Sequence, residues 1–189
     1  MEFTQGVRFD SLGLTEEVQR ALKKKNIEES TPVQAGCIPP MREWKDVIAK
    51  APTGTGKTFA FGIPMVEHTD PEGTDVTGLV LAPTRELAMQ IQDELRQLCA
   101  YLPGIRVACL YGGQPIDRQI NVLKKRPQIV VATPGRLMDH MKRRTVRLQK
   151  VETVVLDEAD RMLDMGFIKD VTHILKQIPH RKNLGMFSA

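Results

Sequence analysis

The sequence predicts an α/β domain in which a parallel sheet carries helices on both faces. Three observations predict it. Short apolar, β-branched runs alternate with stretches of helical periodicity along the chain. The runs are apolar throughout, as in strands buried on both faces. The octapeptide A-P-T-G-T-G-K-T at 51–58 sits between one such run and a helical stretch, the strand–loop–helix order of a phosphate-binding turn.

The elements follow in order. Lys23-Lys24-Lys25-Asn26 reads as a helix end, because cations complement the helix dipole there and Asn tolerates the left-handed conformation. Thr31 caps the next helix, with Pro32 as its first residue and Gln34 one turn in. Strands are predicted at 47–49, 79–81, 107–110, 129–132, 154–156 and 184–187. Helices are predicted at 57–67, 85–101, 116–125, 135–142 and 167–177. The second of these is the clearest, with Leu87, Ile91, Leu95 and Leu98 on one face. Residues 70–77 are acidic and carry Pro71 and Gly73, which predicts an exposed loop. Right-handed crossovers place the carboxyl ends of all the strands along one edge, where ligands of open α/β sheets bind.

Composition bounds the function. A chain of 189 residues is in the single-domain range. Cys37, Cys99 and Cys109 show no C-x-x-C spacing and read as reduced thiols of a reducing compartment, hence a cytoplasmic protein, or a nuclear one in a eukaryote. His68, His140, His173 and His180 lack metal-ligand spacing and read as surface residues. No apolar run is long enough to span a membrane, and the N-terminal residues do not read as a signal peptide. The net charge of +4 permits an anionic partner without requiring one.

The octapeptide is the most constrained chemistry. Gly54 and Gly56 let the backbone curl so that successive N–H groups face one anion, and the following helix adds its dipole. Lys57 would reach the β- and γ-phosphates and the Thr58 hydroxyl a magnesium ion. Ala51 departs from the general pattern, which has Gly there. Asp157-Glu158-Ala159-Asp160 closes the run 151–156. Asp157 can hold magnesium and Glu158 can orient and deprotonate a water; equally, the pair can be an acidic N-cap. Beside the phosphate loop the catalytic reading is the stronger. Thr84 and Thr133 can cap helices, and their helix starts, with Arg85 and Arg136, suit phosphates of a nucleic acid; ordinary capping accounts for the same residues. The basic run 142–147 with Lys150 fits either a nucleic-acid surface or a solvated helix end.

Taken in order, the motifs resemble the N-terminal RecA-like domain of the DEAD-box RNA helicases. They are Phe9 with Ser30-Thr31-Pro32-Val33-Gln34, the octapeptide, Pro83-Thr84-Arg85-Glu86-Leu87-Ala88, Gly112-Gly113, Thr133-Pro134-Gly135-Arg136, Asp157-Glu158-Ala159-Asp160 and Ser188-Ala189. Ala51 agrees with this family. Asn26-Ile27 and Ser30 depart from it, standing where Gly-aromatic and Pro are usual, and Trp44 stands where Gly is usual.

The resemblance implies a RecA-like P-loop NTPase fold over 1–189, with an adenine-recognition segment at 7–35. ATP and Mg²⁺ would be held by Phe9, Thr31, Gln34, Ala51, Pro52, Thr53, Gly54, Thr55, Gly56, Lys57 and Thr58. Magnesium would sit on Thr58 and Asp157, and Lys57, Asp157, Glu158, Asp160 and Ser188 would be catalytic. Asp160 would hydrogen-bond Ser188. Pro83, Thr84, Arg85, Gly112, Gly113, Thr133, Pro134, Gly135 and Arg136 would grip RNA backbone without sequence preference. The chain stops inside a Ser-Ala-Thr motif, so a second RecA-like domain is expected to be missing. The fragment is expected to be monomeric and nearly inactive alone, because an arginine finger contributes about 10³–10⁵ in rate. A DNA-directed translocase and a non-hydrolysing RNA-binding module are the alternative functions.

Overall fold

The computed structural model describes residues 5–52 and 54–189. After the short 3-10 turn Phe9–Ser11, the chain forms α1 (Glu16–Lys24), α2 (Pro32–Arg42), β1 (Val47–Lys50), α3 (Lys57–His68), β2 (Gly78–Leu81) and α4 (Arg85–Leu98). It continues through β3 (Val107–Leu110), α5 (Ile116–Leu123), β4 (Ile129–Ala132), α6 (Pro134–Lys142) and β5 (Thr153–Leu156). It closes with α7 (Ala159–Asp164), α8 (Ile168–Lys176) and β6 (Asn183–Ser188). Each of the six predicted strands is present. The helices predicted to reach 101 and 125 stop at Leu98 and Leu123.

All strands are parallel, in the order β1-β6-β5-β2-β4-β3. The period-2 pleat divides the continuous apolar strands between two cores. Val80, Ala82, Ile129, Val131 and Val155 face α1–α4, and Leu79, Leu81, Val130, Ala132 and Val154 face α5–α8. The pairing register aligns Leu156, Leu81, Ala132 and Leu110 in one row across β5, β2, β4 and β3. The segments after these residues carry the predicted motifs, so the row sets them along one edge.

α3 is buried along its length from Lys57 to Val66, which explains why the helix after the phosphate loop is apolar all round. The 70–77 loop is exposed but anchored. The buried Gln128 amide lies 3.0 Å from the carbonyls of Gly73 and Gly104, and its Oε1 accepts from the Arg106 N–H at 2.8 Å.

Two expectations are corrected. His140 is fully buried and His68 half-buried, so neither is a free surface histidine. Trp44 acquires an account: its φ of 63° is left-handed, which is why glycine is cheap there. Its ring stacks on His68 with centroids 3.7 Å apart, and the Lys182 ammonium lies 4.4 Å from the Trp44 ring. Packing of this kind offsets the backbone strain.

Candidate functional site

The phosphate loop and the acidic turn meet. A cavity of about 270 Å³ is lined by Gly54, Gly56, Lys57 and Thr58 from one side and by Asp157, Glu158 and Arg161 from another, with Thr84, Glu86 and Glu94 closing it. Gly56 is the N-cap of α3 at φ 80°, a left-handed turn that a side chain would strain. It leaves the first-turn N–H groups of the helix without intrahelical partners, the arrangement that suits an anion. Lys57 and Thr58 are buried at the start of this turn.

Asp157 follows β5, and its N–H donates to the Leu81 carbonyl of β2 at 3.0 Å. The carboxylate is 2% exposed, and burial pushes its pKa up to about 6. The Lys57 ammonium, 3.9 Å from Oδ1, and the Glu158 N–H, donating to Oδ1 at 3.0 Å, oppose that rise. Glu158 sits at φ 48°, strained for a residue with a side chain. It occupies the N-cap position of α7 but makes no side-chain capping bond, so the capping reading of this acid fails. Its Oε2 instead accepts from Arg161 at 3.1 Å. Arg161 escaped the sequence reading; its signal is the i,i+3 spacing from Glu158 on one helix face.

A magnesium ion coordinated through one or two protein oxygens plus phosphate oxygens and water fits this donor set. Asp157 uses only Oδ1 in hydrogen bonding, and Thr58 opens on the same cavity. No group of three or more His, Cys, Asp or Glu side chains stands ready as a separate metal cage among the described residues.

The N-terminal segment reaches the phosphate loop through Gln34. Thr31 and Gln34 form a reciprocal capping box, with the Thr31 N–H donating to Oε1 at 2.9 Å and the Gln34 N–H donating to Oγ1 of Thr31 at 3.4 Å. Nε2 of Gln34 donates to the Gly56 carbonyl at 3.1 Å. Both ends of the amide are therefore engaged, each with one partner, leaving one N–H and one lone pair without a partner among the described residues. Phe9 is not on this cavity. It is 3% exposed, packs into the core and lines a separate cavity of about 290 Å³ with Gln19, Asn26, Ile27 and Glu28. An open stacking face at Phe9 is thus not presented. Ala51 is buried, Pro52 is exposed and Thr55 donates to the Pro52 carbonyl at 2.6 Å. Thr53 lies outside the described residues.

The segments expected to grip a backbone converge on one buried glutamine. Nε2 of Gln119 donates to the Tyr111 carbonyl at 2.8 Å and to Oε1 of Gln114 at 3.0 Å. Its Oε1 accepts from Arg136 at 3.2 Å and from Nε2 of His140 at 2.9 Å. The His140 ring therefore carries its proton on Nε2, and Nδ1 accepts from the Thr145 hydroxyl at 2.8 Å. Burial and then the Arg136 charge hold His140 down at about 4. Arg136 also donates to the Gln114 carbonyl at 2.9 Å, and the Arg85 guanidinium lies 5.0 Å from the centre of the Tyr111 ring. Tyr111 leads directly into Gly112 and Gly113, which are exposed, as is Gly135. Pro83 and Pro134 are buried. Thr84 caps α4 by accepting from the Leu87 N–H at 3.2 Å, whereas Thr133 holds the N-cap position of α6 without a side-chain bond. Gln119 and His140 were missed in the sequence because a buried polar network has no periodic signature.

Asp160 and Ser188 are not joined. Asp160 is exposed, and no hydrogen bond links the two among the described residues. Ser188 acts through its backbone: its carbonyl accepts from the Ala51 N–H at 2.9 Å, tying the end of β6 to the start of the phosphate loop.

The family model described as DEAD/DEAH box helicase matches residues 31–189. The DEAD-box ATP-dependent RNA helicase CshA of Geobacillus kaustophilus is 52% identical over 181 residues, covering 96% of this chain and 38% of the relative. The ATP-dependent RNA helicase CshA of Listeria monocytogenes is 50% identical over 182 residues, covering 96% and 35%. The chain thus spans little more than a third of the length of these relatives. Among solved structures, a DEAD box protein from Methanococcus jannaschii superposes with a TM-score of 0.88 at 40% identity, over 96% of this chain and 50% of that one. A hypothetical ATP-dependent RNA helicase from Sulfolobus tokodaii gives 0.85 at 40% identity, over 93% and 51%. With the RecA-like sheet, the phosphate loop against the Asp-Glu-Ala-Asp turn and a family match over most of its length, the chain belongs to the DEAD/DEAH box helicase family.

Proposed function

We propose that this chain is the ATP-binding half of an enzyme that remodels RNA. The observation that carries the reading is the single cavity in which Lys57, Thr58, Asp157 and Glu158 meet. The triphosphate would lie on the first-turn N–H groups of α3 with Lys57 against its outer phosphates. Magnesium, when bound, would neutralise charge on the phosphates, held by Thr58 and Asp157. Glu158 would orient water and take its proton once released from Arg161. Gln34 would read the base with its remaining N–H and lone pair, which suit N7 and the N6 amino group of adenine and mismatch guanine. Arg85, Arg136 and the backbones of Gly112, Gly113 and Gly135 would hold RNA phosphates, independently of sequence.

RNA rather than DNA is favoured by what the relatives are named for. Relatives more than twice as long support a second domain that completes the site, and on this reading the chain alone binds adenine nucleotide but turns it over very slowly. Calorimetric titration with ADP and GDP in magnesium tests the reading. Binding of ADP with GDP excluded supports it; equal binding of both removes adenine recognition, and binding of neither removes the nucleotide site from this chain. Robust RNA-stimulated hydrolysis by the 189 residues alone would overturn the need for a second domain.

A further inference from the structure

Residues 124–150 hold nine of the chain's 27 Lys and Arg but only one of its 23 Asp and Glu. A seventh of the sequence therefore carries a formal +8, and the remainder is net negative. The fold gathers most of this charge at the edge opposite the motifs. α6 begins at the carboxyl edge beside Arg136 and runs nine residues, about 14 Å at 1.5 Å per residue, to the other side. There two adjoining cavities of about 260 and 350 Å³ share Arg144, Val146 and Arg147, and the first continues to Arg126. The three arginines are exposed, and none has a salt-bridge partner among the described residues. Asp75 is the one acid lining either cavity.

The backbone supplies a second observation. Arg126 and Arg144 adopt φ of 59° and 57°, two of the five left-handed non-glycine residues described. Each follows a helix end, where Gly or Asn would remove a strain of about 1–2 kcal/mol. Cations in a last turn do gain from the helix dipole. That gain accounts for Lys124, Lys142 and Arg143, but it requires no arginine at a strained position and none as far on as Arg147. Strain kept in order to hold charge points to an external anion.

We propose that the groove of Arg126, Arg144 and Arg147 binds backbone phosphates of RNA lying outside the segment gripped at the carboxyl edge. The inference rests on the RNA reading above. An acidic polypeptide fits less well, because protein interfaces are anchored on apolar or aromatic side chains. The exposed large apolar residues of this chain, such as Leu163, Met165 and Ile168, do not line the groove. Unpaired guanidinium groups suit phosphate oxygens, and α6 connects Arg136 directly to Arg144.

The test is a triple variant, Arg126→Asn, Arg144→Asn and Arg147→Ala; Asn accepts the left-handed backbone, so the fold is kept. Fluorescence anisotropy of single-stranded RNAs of about six and about thirty nucleotides is measured against salt, where each phosphate neutralised on a single strand contributes about 0.7 to the slope. The expected result is an unchanged affinity for the short RNA, at least a tenfold loss for the long one, and a slope lower by about 2. Equal effects on both lengths, or none on the long RNA, overturn the inference while leaving the RNA reading intact. Binding of poly-glutamate to the wild type but not to the variant, with long-RNA affinity equal in the two, assigns the groove to acidic polypeptides instead. Absence of RNA binding by the wild type overturns the RNA reading and the inference with it.

Discussion

The Lys57 ammonium stands 3.9 Å from Oδ1 of Asp157, with both side chains at least nine-tenths buried. At that separation the pair attracts without closing into a hydrogen bond, so the ammonium protons are not committed to the carboxylate, and Oδ2 of Asp157 makes no hydrogen bond among the described residues. Lys57→Ala removes the charge that opposes the rise of the Asp157 pKa and, on the proposed function, the group that meets the outer phosphates. The expected outcome is at least a hundredfold loss of ADP–magnesium affinity by calorimetry with a cooperative melt retained. Unchanged affinity would detach Lys57 from the nucleotide.

Asp157 gives a pH dependence whose sign is fixed. Its folded pKa of about 6 lies above the ordinary 3.8, so the folded chain takes up a proton that the unfolded chain does not. In the nucleotide-free chain this carboxyl therefore destabilises at neutral pH, by up to about 3 kcal/mol at 1.36 kcal/mol per unit, and the penalty fades as pH falls from about 6 toward 4. Asp157→Asn should melt higher than the wild type at pH 7.5, with the difference gone near pH 4. The same variant should lose magnesium dependence of nucleotide binding. A variant less stable at every pH would contradict the burial argument.

His140 has the opposite sign. Its folded pKa, held near 4, lies below the ordinary 6.5, so its contribution is complete above pH 6.5 and is lost as pH falls toward 4. Charging His140 breaks the acceptor role of Nδ1 and puts a cation beside Arg136. RNA affinity should fall below pH 5 more steeply than magnesium-free ADP affinity, both measured in an Asp157→Asn background that removes the titration of that carboxyl.

Gln119→Glu isolates the hub. The change keeps an oxygen for Arg136 and His140 but ends donation to the Tyr111 carbonyl and Gln114. RNA should bind about tenfold more weakly, from the loss of a buried hydrogen bond and a misplaced loop, while ADP affinity is unmoved. Equal losses for both ligands would reduce Gln119 to a structural residue.

Gln34→Ala removes the capping box and the tie to Gly56. A cap and one buried hydrogen bond together are worth about 2 kcal/mol of stability, read as a lower denaturant midpoint. Gly56→Ala should be worse for nucleotide, since it strains the φ of 80° and its Cβ would collide with the Gln34 amide.

Strand positions were legible because buried parallel strands are apolar end to end, and 107–110 and 129–132 match the observed β3 and β4. The meeting of the phosphate loop with Asp157 was legible because both follow strands of one parallel sheet. Less legible was what depends on side-chain direction. Phe9, given to the nucleotide site by the resemblance, is buried in the core, since no local pattern distinguishes a core aromatic from a stacking one. His140 read as a surface residue because its partners Gln119 and Thr145 are a helix away and a loop away. The Asp160–Ser188 bond, carried over from the resemblance, is not formed, and Ser188 is engaged instead through its main chain.

That main-chain link has a consequence for observation. The Ala51 amide donates to Ser188 at the very end of the β1–β6 ladder, so its exchange with solvent requires the phosphate loop to part from the last strand. Its protection in deuterium would therefore report the coupling of the two segments directly, residue against residue, with no label added and no side chain altered.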